Sequence, residues 1–275
     1  CDVVGLDTLV KVANDVYERC VDDESREAFK LPSYVQNLLD NKWYGDKSGQ
    51  GFYKKVKGAG GKSEILSLEL SSMEYKPKSK SKFATLDQTR SIENVQDRIK
   101  ILVAGKDKAG EFYRASFASL FHYVSKRIPE IADNPLQVDE ALSAGFGWEL
   151  GPFETWELIG IENGIAMMKA QGFSPAAWVS DMIKNGHQSF YKVKDGLRHY
   201  YNPKTGNYEK SASGASILIL DNLREKTVWK NAGSTLIDIG DGILNLEFHT
   251  KMNTIGGEII QGVNTAIEMA EKDFK

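Results

Sequence analysis

The chain has 275 residues, 41% of them hydrophobic and 27% charged, with a net charge of −3. That balance argues against a general nucleic-acid binder, which needs excess cations to displace counterions, and no apolar run reaches membrane-spanning length. Two cysteines, Cys1 and Cys20, form neither a disulfide framework nor a zinc signature, which fits a reducing, cytoplasmic setting.

The N-terminus opens inside an apolar helical pattern without a charged-then-apolar leader, so the chain reads as a piece of a longer one. Leu6, Leu9, Val10, Ala13, Val16, Tyr17 and Cys20 recur at helical spacing, which predicts an amphipathic helix with Cys20 buried on its stripe. Pro32 suits a first helical position, and Tyr34, Val35, Leu38 and Leu39 give the next helix its apolar face. That helix runs into Lys47-Ser48-Gly49-Gln50-Gly51-Phe52-Tyr53, a Gly-rich loop whose backbone can approach a ligand closely. Residues 57–63 read as a turn and Lys76–Lys82 as a basic linker.

Ser91 is a candidate cap for a helix over 92–104. A longer helix over about 109–128 would turn Phe112, Phe117, Leu120, Phe121 and Val124 inward, with Pro129 beyond its end. A short helix carrying Val138–Gly145 leads into the bend Gly145–Phe153, and Glu154–Ala170 reads as one helix closed by Gly172. Asp139-Glu140 and Asp22-Asp23-Glu24 are paired acids best explained as solvated faces or caps. Trp148, Phe153 and Trp156 flank the bend and are read as core packing between the two copies described below, rather than as substrate contacts. Ser174-Pro175 starts a helix ending at Asn185-Gly186. A hairpin follows over Leu197–Tyr201 and Asn207–Lys210, then a Ser/Gly break at 211–216. Thr235–Ile239 and Ile243–Phe248 flank Gly240-Asp241-Gly242, a second hairpin. Gly257–Phe274 is an amphipathic helix, and an incomplete sheet here would leave residues 235–275 poorly ordered or sheltered by another chain.

Part of this order occurs twice. Val3-Val4-Gly5-Leu6-Asp7 matches Leu158-Ile159-Gly160-Ile161-Glu162; Leu31–Val35 matches Ser174–Val179; and Phe-Tyr-Lys closes both, at 52–54 and 190–192. Eleven positions separate Asn41 from Phe52 but only five separate Asn185 from Phe190, so the second copy lacks the Lys47 loop. If the loop touches a ligand, only the first copy does so. Each copy is too small to bury much alone, so the two are expected to pair within the chain.

The Val3–Thr8 turn, the Lys47–Tyr53 loop, and Gly145-Phe146-Gly147 with Gly151-Pro152-Phe153 together resemble the C-terminal domain of L-3-hydroxyacyl-CoA dehydrogenases, where a Lys-Thr-Gly-x-Gly-Phe-Tyr loop ends the domain. Glu149 departs from the Met that usually precedes Gly-Pro-Phe. The doubling resembles bifunctional β-oxidation proteins, and Ile237–Asn253 resembles the opening hairpin of an enoyl-CoA hydratase (crotonase) domain. The resemblance implies a mainly α chain: a truncated first dehydrogenase repeat over 1–75, a second over 85–212, and a linker plus the start of a hydratase domain over 213–275. It implies hydride transfer between NAD and the 3-hydroxyl of an acyl-CoA substrate, and a homo-oligomer. It assigns Lys47 to the cofactor and no catalytic residue to this segment, because the family's His base, its Glu, its Asn and the hydratase groups would all fall outside it. The segment alone is therefore expected to be inactive. None of His122, His187, His199 and His249 has metal-ligand spacing. A non-catalytic helical interaction module, or a protein whose main activity is the hydratase, are the competing readings.

Overall fold

A computed structural model describes residues 1–58, 62–78, 81–194, 197–211 and 218–274. It divides into two compact units, Cys1–Phe83 and Ala84–Lys275. The expected boundary at 213 and most of the 211–216 break lie outside the described residues.

In the first unit α1 (Leu6–Arg19) and α2 (Ser33–Asp40) bury Leu6, Ala13, Val35 and Leu38. Cys20 is exposed, not buried: the helix ends at Arg19, and Cys20 leaves the apolar stripe as its C-terminal cap. Pro32 stands one residue before the helix it was expected to begin. Three strands follow, β1 (Tyr53–Lys57), β2 (Ser63–Glu69) and β3 (Glu74–Pro77), in an antiparallel sheet of that order. The lysine-rich stretch read as a linker thus begins inside a strand.

The second unit opens with α3 (Ala84–Thr89), α4 (Val95–Ala104) and α5 (Lys108–Lys126). Asn94, rather than Ser91, caps α4, by accepting the Asp97 amide. Phe112 is 66% exposed, contrary to expectation, whereas Phe121 is fully buried. Next come α6 (Pro135–Phe146), α7 (Pro152–Ile159), α8 (Ile161–Ala170) and α9 (Ala177–Lys184). The single helix expected over 154–170 is two helices. Gly160, at φ 96° and ψ 131°, breaks the chain direction between α7 and α8, a conformation that an L side chain resists. The helix expected from Ser174-Pro175 begins later, at Ala177, because its first turn forms after Ala176.

Phe121, Phe153, Trp156, Met168, Val179, Met182 and Phe190 form the core of this unit, each fully buried. Trp156 stacks on Phe121 with centroids 5.1 Å apart, and its indole N–H donates to the Ile161 carbonyl at 3.1 Å. Phe153 and Trp156 therefore find their packing partners inside their own unit, and Trp148 stays 42% exposed. A second antiparallel sheet has the order β4 (Tyr191–Lys194), β5 (Leu197–Asn202) and β6 (Asn207–Lys210).

The C-terminal part holds a third sheet, β7 (Thr227–Lys230), β8 (Ser234–Gly240) and β9 (Ile243–Phe248), packed against α10 (Gly257–Asp273). Leu236 and Ile237 of β8 and Ile259 of α10 are fully buried. This segment, expected to be poorly ordered or sheltered by another chain, forms regular strands and a helix with these three side chains buried. The outer face of α10 keeps Ile260, Val263 and Ile267 exposed. Among the described residues no helix is long and apolar enough to cross a membrane.

Candidate functional site

The loop after α2 is fixed by its three glycines and by the N-terminal turn. Gly45, at φ 107° and ψ −147°, starts a 3-10 turn over Asp46–Ser48, and Gly49 ends it at φ 81°. The Gly45 amide donates to the Gln50 carbonyl at 2.8 Å, and the Asp46 amide to the Asp2 carbonyl at 3.0 Å. The Leu6 amide donates to the Tyr44 carbonyl at 3.0 Å. Ser48 Oγ accepts the Tyr44 amide at 2.8 Å. Asp2 reaches across to accept the amides of Phe52 and Tyr53 at 3.1 and 2.8 Å. A Cβ on Gly51 would come within 2.7 Å of the Gly45 Cα and 2.9 Å of Asp2, so Gly51 is there for close approach.

This frame holds Lys47 against the start of α1. Its Nζ donates to Asp7 Oδ1 at 2.5 Å, with the lysine side chain 46% exposed. Gly5 makes room: a Cβ there would lie 2.6 Å from Nζ. The Lys47 hydrogen bond, foremost, holds the Asp7 carboxyl below its ordinary range, and the N-terminal turn of α1 favours the same charge. The result is an ammonium pointed in one direction but still open to solvent, suited to a charge-assisted bond with a phosphate or carboxylate. The Gly-rich loop sequence points to Lys47 and the glycines. It does not point to Asp7 and Asp2, which lie 40 and 45 residues away. The available signal was their alignment with Glu162 and Glu157 in the repeat.

The second unit repeats this frame without the lysine. Glu157 Oε2 accepts the amides of Phe190 and Tyr191 at 2.7 and 3.2 Å, as Asp2 does for Phe52 and Tyr53. Tyr208 donates to the Ser189 carbonyl as Tyr75 donates to that of Gly51. His187 lies 5.2 Å from the Tyr208 ring, in the place Trp43 takes 5.4 Å from Tyr75. Gly5 and Gly160 share their backbone geometry, with φ 109° and 96° and ψ 133° and 131°. Where the first unit carries Tyr44–Gly51, the second has only Gln188 and Ser189. A cleft of about 380 Å³ opens there, lined by Gly160–Asn163, Ile183 and Gln188.

The strongest titratable cluster lies under the bend at 147–152 and serves to hold it. Asp139, 2% exposed, accepts the amides of Phe153 and Glu154 at 2.9 Å each and the Tyr191 hydroxyl at 2.7 Å. Glu154 accepts the Gly151 amide at 2.8 Å and pairs with Arg198 at 2.7 Å. A Cβ on Gly151 would strike Asp139 at 2.4 Å. Asp139 is therefore a buried cap for α7, not a solvated one. Burial pushes its carboxyl up to about 7, against the pull of its three donors. The folded form then holds a proton that the unfolded form releases near its ordinary value. The stabilisation linked to Asp139 is complete below about pH 4 and is lost as pH rises through about 7. Denaturation of the second unit between pH 4 and 8 should show this fall, and Asp139→Asn should flatten it; an unchanged slope in the variant contradicts the assignment.

The histidines are packed or hydrogen-bonded. His122 stacks on Phe173 at 4.8 Å with Nδ1 2.6 Å from the Ser174 carbonyl, and His249 Nε2 is 3.0 Å from Thr235 Oγ1. Among the described residues no three His, Cys, Asp or Glu side chains are placed to hold a metal ion.

No family model matches the chain. It is 35% identical over 276 aligned positions, covering all of this chain and 34% of the relative, to a "Probable 3-hydroxyacyl-CoA dehydrogenase" of Bacillus subtilis (strain 168). It is 22% identical, again over all of this chain and 34% of the relative, to a "Putative fatty acid oxidation complex trifunctional enzyme" of Rickettsia felis. A protein of the same description from Rickettsia prowazekii is 20% identical over 59% of the chain. The chain thus spans about a third of the length of the curated relatives it matches most fully.

Proposed function

We propose that the chain is a segment of an NAD-dependent 3-hydroxyacyl-CoA dehydrogenase of fatty-acid β-oxidation, within a longer multifunctional protein of the cytoplasm. The observation that carries this reading is the clamped Lys47 loop, in a chain similar along its whole length to a protein named for that activity. Bound NAD supplies the hydride acceptor. Lys47 holds an anionic part of the cofactor: its ammonium is half exposed, and Asp7 and Gly5 fix its direction. The proton-transfer groups belong to other parts of the parent protein.

The matched carboxylate–amide clamps, tyrosine–carbonyl bonds and sheet orders support a duplication in which the first copy kept the ligand loop and the second became structural. Pairing of the two copies, and any homo-oligomer, are part of the same proposal. The sheet β7–β8–β9 with α10 is read as the opening of an enoyl-CoA hydratase domain.

The full-length parent should oxidise NADH in the presence of acetoacetyl-CoA, and the 275-residue chain alone should show no turnover. A parent with no acetoacetyl-CoA-dependent oxidation rejects the reading.

A further inference from the structure

The outer face of the first sheet adjoins the Lys47 loop and is unlike the rest of the molecule. Residues 42–82 carry ten lysines and four acidic residues, in a chain whose net charge is −3. The β1–β2–β3 register puts Tyr53, Lys55 and Lys57 on one face, with Ser63, Ile65 and Ser67 opposite them and Lys76 opposite Ser67. On this face a groove of about 750 Å³ is lined by Tyr53, Lys55, Lys57, Ser63 and Ile65, and at the loop by Asp46 and Gly49. Tyr53 is 51% and Ile65 56% exposed. Neither Lys55 nor Lys57 has an acidic partner among the described residues. The lysines of the opposite face and the loop are engaged differently: Lys54 lies over the Tyr75 ring and Lys47 is tied to Asp7.

We propose that this groove binds the phosphorylated adenosine part of a nucleotide. Side chains two residues apart on a strand stand roughly 7 Å apart, so Lys55 and Lys57 can hold two phosphate groups at once. The Tyr53 ring offers a face for the base, as aromatic side chains do in sequence-tolerant base stacking. Ile65 covers the apolar side, and the Ser63 hydroxyl and Asp46 carboxylate are available to ribose hydroxyls or an exocyclic amine. With one ring and one pair of cations, the groove fits a single nucleotide and not a strand. Its assignment to the 3′-phosphoadenosine end of acyl-CoA, with the acyl end directed past the Lys47 loop, rests on the function proposed above. Its affinity for phosphorylated adenosine does not.

Calorimetric titration of the 275-residue chain with adenosine 3′,5′-bisphosphate tests this. Saturable binding is expected, weaker by about tenfold or more in Lys55→Ala/Lys57→Ala, with the salt dependence of log K shallower by about two. Tyr53→Leu should weaken the bisphosphate and leave inorganic pyrophosphate unchanged. All three positions are exposed, so circular dichroism melts should match the wild type. Tighter binding of CoA than of NADH assigns the groove to the acyl-CoA, and the reverse order to the dinucleotide. Absence of saturable binding, or unchanged affinity in the lysine double variant, overturns the proposal. A groove that behaves as expected in a chain whose parent fails the NADH assay would retain the nucleotide site and remove the dehydrogenase reading.

Discussion

Asp139→Ala is expected to destabilise the second unit by about 3–5 kcal/mol at pH 5. The side chain is nearly inaccessible, and its removal leaves the amides of Phe153 and Glu154 and the hydroxyl of Tyr191 without their acceptor. Each buried donor left unpaired costs about 1–3 kcal/mol. The loss is not local to the bend. Asp139 lies on α6, its two amide donors on α7 and its hydroxyl donor on β4, so one carboxyl ties three elements together. Hydrogen exchange of the α7 amides reads the effect within this unit alone. Protection equal to the wild type would show that water or a neighbouring side chain replaces the carboxyl.

Gly45→Ala should open the Lys47 loop, at a cost of about 3 kcal/mol. Its φ of 107° with ψ of −147° lies in a region that is essentially restricted to glycine, with a penalty of about 1–3 kcal/mol for other residues. A Cβ there would also lie 2.2 Å from the Asp2 carbonyl oxygen. That oxygen cannot move away freely, because it accepts the Asp46 amide that begins the 3-10 turn. Gly49→Ala is the control. Gly49 also has positive φ, 81°, but a Cβ there meets nothing within 4 Å, so only the left-handed penalty of about 1–2 kcal/mol applies. Exchange of the Asp46 amide should accelerate far more in Gly45→Ala than in Gly49→Ala. Equal effects would mean that backbone strain, not the clash with Asp2, dominates.

The helices were readable where a single apolar stripe faces one core. α1, α2, α5 and α10 follow from spacing, although the spacing also places Cys20 of the α1 stripe and Phe112 of α5 inside, whereas both are exposed. The failures have definite physical sources. Gly160 sits inside an unbroken apolar pattern, so nothing local marks α7 and α8 as separate helices; the break is visible only by alignment with Gly5, which begins α1. β1, β2 and β3 are rich in lysine and glutamate, and their alternation is weak because much of the sheet is exposed. Asp139 looked like any acid on a helix, since its burial depends on a bend and a strand up to 52 residues away. In the site, Lys47 and its glycines could be found from the loop and the family resemblance. Asp7 is marked only by its alignment with Glu162, and its pairing with Lys47 is not legible there, because the pair spans 40 residues and depends on Gly5 leaving the space empty. Asp2 and Glu157 are not notable alone, yet each closes a Phe-Tyr corner, which is what the proposed duplication expects.

In the function proposed here the Lys47 loop of the first copy serves the cofactor while the second copy is structural. The direct measurement is acetoacetyl-CoA-dependent NADH oxidation by the full-length parent, comparing Lys47→Ala with Lys192→Ala. Lys192 follows the second Phe-Tyr corner as Lys54 follows the first, and it rests over the Tyr208 ring at 3.9 Å. Loss of one hydrogen bond to a charged group, about 1.5–3 kcal/mol, predicts that kcat/KM falls by about tenfold to a hundredfold in Lys47→Ala, with Lys192→Ala close to wild type. Unchanged kinetics in Lys47→Ala, or an equal fall in both variants, would contradict the account.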